Sequence, residues 1–251
     1  MQAHASDELG GLTPGLDGNV WFVEANRALG FITPAGKVTE YPFPQNDTGQ
    51  APIRIVTGPD NNLWFTEYEG TESAGRNVGN GTPTGTISEF LLSSSGCPEG
   101  IASGADGNVW FGEACGIRSN VGHLGRITRT GTIMEFPTPN ASNLVDVTVG
   151  ADGNLWFTDT VAPGIGRSDY AGNMVEFSLQ TGSSPSDICK GPDGNVWFTD
   201  TALVGLGRVT PAGSITTYPV PAAPSGIATG SDGALWFVEA GAGKIDRFVP
   251  P

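Results

Sequence analysis

Apolar residues along this chain come in short alternating bursts bounded by glycine, proline, asparagine and aspartate, and no window carries a helical period. The bursts repeat. Trp21, Trp64, Trp110, Trp156, Trp197 and Trp236 lie 43, 46, 46, 41 and 39 residues apart, in the phrases DGNVWFVE, DNNLWFTE, DGNVWFGE, DGNLWFTD, DGNVWFTD and DGALWFVE. An I-A-x-G type segment lies upstream (Ile101 to Gly104, Ile227 to Gly230); G-R-I/V-T, a glycine turn and a stretch such as ITTYPVP or IMEFPTP follow. A period of this length points to a solenoid or a propeller. Four strand-like pieces in each of six units predict an all-β fold, a six-bladed β-propeller of four-stranded antiparallel blades. The expected organisation is one domain over 1–251, with blades near 9–46, 52–92, 98–138, 144–179, 185–220 and 224–249. The last unit stops at its third strand, so residues 1–6 are expected to supply its fourth.

Local chemistry supports the strands. Asp-Gly between apolar runs, as at Asp106-Gly107, offers the positive φ of a tight hairpin joining the first two strands of a blade. A second glycine turn (Ala35-Gly36, Thr84-Gly85, Ala212-Gly213) joins strands three and four. Adjacent Trp and Phe in strand two place one large ring on each face of a blade, as sheets packed on both sides require. The tryptophans therefore read first as core.

Charge narrows the partners. Twelve basic against 26 acidic residues give a net charge of −14, which argues against nucleic acid and against an anionic membrane surface. No apolar run approaches the length of a membrane-spanning helix. A small molecule or a peptide is the expected ligand, and a monomer the expected state. Among three cysteines, Cys97 and Cys115 fall near opposite positions on the first two strands of one blade. A disulfide, which would favour an exported protein, and two buried thiols both remain open. Cys189 reads as core. Ala3-His4-Ala5 has the look of a cleavage-site tail, but no hydrophobic region precedes it.

The phrases DGN-L/V-WFTE, IGR-I-T-P-x-G and ITEYP-x-P resemble the virginiamycin B lyase (streptogramin lyase) family of β-propellers, and the resemblance runs through nearly the whole chain. It implies Mg²⁺-assisted opening of a cyclic depsipeptide ester by β-elimination, with histidine as the base. It also implies seven blades for the characterised lyases, against six repeats here. In the family the catalytic histidines sit in a P-H-G/A-I-T phrase at the start of the innermost strand. The matching positions here are Gly10, Ile53, Glu99, Val145, Ser186 and Ser225, none of them histidine. Cys97-Pro98-Glu99-Gly100-Ile101 is the nearest phrase, with glutamate in the place of the base.

Other residues still suggest chemistry. Strand two ends in an acid in every repeat, Glu24, Glu67, Glu113, Asp159, Asp200 and Glu239, so a ring of carboxylates is expected on one face as a ligand-binding or cation-binding feature. Arg126, Arg167, Arg208 and Arg247 are expected to pair with four of these acids across the hairpin. Phe31 and Asn80 take the arginine position in the first two repeats, which leaves Glu24 and Glu67 without the expected cation unless Arg27, Arg54 or Arg76 compensates. His4 lies in the presumed closing strand; His123 lies in an insertion, CGIRSNVGHLGR, of the third repeat. The second repeat carries a comparable insertion, and the two could wall a binding site. Two functions follow: a propeller that binds a small molecule or peptide without the lyase step, or a Mg²⁺-dependent lyase in which His123, with Glu99 or Glu113, replaces the lost base.

Overall fold

A computed structural model describes residues 9–25, 27–44, 51–68, 76–93, 96–114, 122–140 and 142–251. The chain is a six-bladed β-propeller, and each blade is an antiparallel meander. The first blade runs Leu9–Pro14, Val20–Glu24, Ala28–Ile32 and Val38–Pro42; the second runs Ala51–Thr57, Leu63–Tyr68, Asn77–Gly81 and Ile87–Leu91. The third comprises Cys97–Ser103, Val109–Ala114, His123–Ile127 and Ile133–Pro137. The fourth comprises Leu144–Val149, Leu155–Asp159, Gly164–Ser168 and Met174–Ser178, and the fifth Pro185–Lys190, Val196–Asp200, Gly205–Val209 and Ile215–Pro219. The sixth has three strands among the described residues, Gly226–Thr229, Leu235–Glu239 and Lys244–Phe248. Residues 1–6, expected to complete it, lie outside the described residues. The chain divides into two compact units, Met1–Ser119 with Gly125–Glu135, and Asn120–Leu124 with Phe136–Pro251.

Within each unit the repeated phrases explain themselves. The Asp of D-G-N accepts the backbone N–H of the residue two positions on and the indole N–H of the tryptophan four positions on, as Asp152 does from Asn154 (3.1 Å) and Trp156 (3.0 Å). Burial works against the Asp152 charge, but these hydrogen bonds outweigh it and hold the carboxyl below its usual range. The following glycine takes the left-handed conformation (Gly153, φ 78°); in the second blade Asn61 does so instead (φ 66°). The phenylalanine after each tryptophan lies over a glycine in strand three: Phe65 covers Gly79, Phe157 covers Gly166 and Phe198 covers Gly207. A Cβ there would overlap the ring, which accounts for the glycine of the G-R-I/V-T phrase. The strand-four aromatic of one blade seats on the turn glycine of the next, as Phe177 does on Gly213.

Blades pack through a tryptophan on one side and the phenylalanine layer on the other. Trp21 joins Ile55, Leu63 and Phe65 of the second blade, Trp64 joins Ile101, Val109 and Phe111 of the third, and Trp156 joins Ile188, Val196 and Phe198 of the fifth. These tryptophans are buried; Trp236, in the sixth blade, is 40% exposed.

The arginines differ from expectation. Register places Arg167 opposite Trp156 and Arg208 opposite Trp197, whereas Asp159 and Asp200 face Gly164 and Gly205. The arginine thus lies at the D-G-N end of the hairpin. Arg247 bonds Asp232 (2.8 Å), Arg208 approaches Asp193 (3.8 Å), and Arg167 lies over the rings of Trp156 and Phe177. Arg126 lies over the Trp110 ring. Cys97 is buried and disulfide-bonded, and Cys115 lies outside the described residues. Cys189 is a free thiol, half-buried between its neighbours, with its pKa pushed up to about 12 by burial.

Candidate functional site

The first strand of each of the first five blades carries a β-bulge near its start, which re-aims the side chains there. The irregularities fall between Leu9 and Leu12, Pro52 and Arg54, Pro98 and Ile101, Leu144 and Val147, and Pro185 and Ile188. Gly10, Ile53, Glu99, Val145 and Ser186 therefore all sit inside bulges, each half-buried and so partly open to solvent. Ser225 holds the matching place in the sixth blade, bonding the Val238 carbonyl through its own N–H at 2.8 Å.

Strand-two threonines fix these bulges from the preceding blade. Thr66 donates to the Glu99 carbonyl (2.6 Å), Thr158 to that of Ser186 (2.7 Å) and Thr199 to that of Ser225 (3.5 Å). Thr158 also accepts the Asp146 N–H (3.1 Å), and Thr199 that of Asp187 (3.0 Å). The second bulge residue then decides what the bulge does. Asp146 accepts the N–H of Ile188 in the next blade (3.0 Å), and Asp187 that of Ile227 (2.7 Å). Asp187→Ala is expected to cost about 1.5–3 kcal/mol by orphaning the Ile227 N–H; urea unfolding measures it, and an unchanged midpoint would contradict this clasp.

The second blade departs from that scheme. Its second bulge residue is Arg54, and its cationic field acts on Glu99 in the bulge of the third blade. Burial pushes the Glu99 carboxyl above its usual range, and the Arg54 guanidinium pulls the other way. The result is an adjacent cation and carboxyl on bulged backbone, able to offer charge-assisted hydrogen bonds to a ligand carbonyl or carboxylate and to a ligand N–H.

The remaining sequence-predicted residues lie apart from this pair or serve the backbone. Asp159 accepts the N–H groups of Asn143 (3.1 Å) and Val161 (2.9 Å), and Asp200 those of Ser184 (3.0 Å) and Leu203 (3.0 Å). Glu239 accepts the Ala222 N–H (3.0 Å). Each thus ties the loop entering its own blade. Glu24 and Glu113 are buried, and the Glu113 carboxylate packs over Gly96. Glu67 is fully buried, and neither carboxylate oxygen meets a hydrogen-bond partner among the described residues. Arg27, one of its expected compensators, bonds Glu89 at 2.7 Å. His123 opens the third strand of its blade and is half-buried; His4 lies outside the described residues.

Among the described residues no group of three or more His, Cys, Asp or Glu side chains could hold a metal ion. Glu99, the carboxylate best placed at a bulge, lies in the field of a guanidinium that competes with any divalent cation. This donor set does not fit Mg²⁺.

The threonines and bulge aspartates were missed by sequence reasoning. The recurring T after W-F was their only trace. The sequence profile described as the virginiamycin B lyase family matches residues 3–142 and 116–250. The chain belongs to the virginiamycin B lyase family.

Solved structures agree. A catalytically inactive His-to-Ala virginiamycin B lyase from Staphylococcus aureus, with quinupristin, is 31% identical at a TM-score of 0.86, covering 99% of this chain and 86% of that one. A streptogramin B lyase is 27% identical at 0.84, over 100% of this chain and 85% of its own. A selenomethionine-substituted virginiamycin B lyase from S. aureus is 32% identical at 0.82, over 96% and 84%. No curated protein sequence matches the chain.

Proposed function

We propose that this member of the lyase family binds a small molecule or peptide over the first-strand bulges of its second and third blades, without performing the elimination. One observation carries the reading: the bulge positions that match the family's histidine phrase hold glycine, isoleucine, glutamate, valine and serine, and no imidazole. At the same bulges Arg54 and Glu99 form a half-buried pair of opposite charge capability. Binding without turnover suits the family scaffold, since a lyase inactivated at one histidine is found with quinupristin.

The pair's chemistry suits amide and ester groups. Arg54 donates to a carbonyl or carboxylate, and Glu99 accepts from an N–H or, protonated, donates to an ester oxygen. Calorimetric titration with quinupristin tests this. Arg54→Gln and Glu99→Gln are each expected to weaken binding roughly ten-fold or more, and His123→Ala to leave it unchanged. Equal affinity in all four proteins, or no binding by the unsubstituted chain, would overturn the proposal.

A further inference from the structure

The two terminal blades each leave one face open. In the sixth blade Trp236 is 40% exposed, and Val238 and Ile245 on the same face are exposed as well. The matching residues of the fifth blade, Trp197, Thr199 and Leu206, are fully buried against Ile227, Leu235 and Phe237. In the first blade Leu12 and Val20 are exposed beside Phe22, at the places that Ile227 and Leu235 occupy beside Phe237 in the sixth. One open face thus presents the tryptophan half of a blade contact, and the other the phenylalanine half.

We propose that these faces dock a second copy of this chain head to tail, the Trp236 face of one molecule against the Leu12–Val20 face of the next. The second copy is the occupant that the molecule itself specifies. Every blade contact described within a unit joins a tryptophan face to a phenylalanine face, and each copy carries one open face of each kind. The contact would continue the internal blade stacking across molecules. It is heterologous, so repetition gives rings or open arrays larger than a dimer. A net charge of −14 on each copy opposes the approach, so association should strengthen with salt.

Sedimentation velocity across micromolar to high-micromolar concentrations tests this, using Trp236→Glu and Leu12→Glu. Both positions are exposed, so neither substitution opens the core, and unchanged circular dichroism verifies that. The unsubstituted chain is expected to associate with rising concentration. Each variant alone is expected to stay monomeric, because one half of the contact is blocked in every molecule. An equimolar mixture of the two should form a one-to-one dimer, capped at both ends, through the single intact pairing. An unsubstituted chain that remains monomeric throughout would overturn the proposal. So would self-association of Leu12→Glu alone, which would show symmetric Trp236 pairing or a different contact, and so would a mixture that stays monomeric.

Discussion

Glu67→Gln is expected to stabilise the protein at pH 8 by roughly 3 kcal/mol and to have little effect near pH 4. Burial raises the Glu67 pKa from 4.5 to about 7, the neighbouring charge of Glu89 adds to the rise, and Arg27 opposes it. Arg27 is committed to Glu89 at 2.7 Å, and Asn77, opposite Glu67 in register, pulls weakly downward without meeting hydrogen-bond geometry. A carboxyl whose folded pKa exceeds its unfolded one holds more protons in the native state between the two values. Its contribution is therefore intact below pH 4.5 and lost as pH rises through about 7. Glutamine keeps the shape and cannot ionise, so the variant should lack this decline. Urea unfolding of both proteins from pH 4 to 8 measures it. Parallel stability curves would show that Glu67 ionises in the folded protein as freely as in the unfolded chain.

Trp156→Ala is expected to cost about 3–5 kcal/mol, and Trp236→Ala only about 1–2. Trp156 is fully buried with Ile165, Ile188, Val196 and Phe198, stacks on Phe177 at 5.8 Å and bonds Asp152 through its indole at 3.0 Å. Removing it leaves a cavity walled by rigid strands and orphans an anchored carboxylate. Trp236 makes the same turn bond, to Asp232 at 3.2 Å, but its ring is 40% exposed. Chemical denaturation of the two variants gives the ratio directly. Equal losses would mean that the ring of Trp236 is as deeply buried in solution as that of Trp156.

The blade repeat was legible because its signals are local. D-G marks a turn by the left-handed glycine, and W-F marks a strand buried on both faces. Side chains that act across blades left weaker traces. The threonine after W-F reads as an ordinary strand residue, yet Thr66 and Thr158 hold the bulge of the following blade. A bulge itself adds one residue with no compositional mark, so the twist that re-aims Glu99 could not be seen in the sequence. The arginines were displaced for a similar reason: counting from the strand start put them near the strand-two acids, whereas pairing sets Arg167 opposite Trp156. Asp159, Asp200 and Glu239 repeat as catalytic acids would, but repetition equally marks a structural duty performed once per blade. Their bonds to incoming loop N–H groups are that duty.

The central claim is that the propeller has kept the lyase blades and replaced the histidines at the bulges. Incubating the purified chain with a streptogramin B lactone, with and without Mg²⁺, and following it by chromatography and mass spectrometry tests that claim most directly. The account predicts intact lactone under both conditions. A ring-opened isomer of unchanged mass that disappears with chelator would contradict it, because elimination would then proceed without an imidazole at any matching bulge, and His123→Ala would be the variant to examine next.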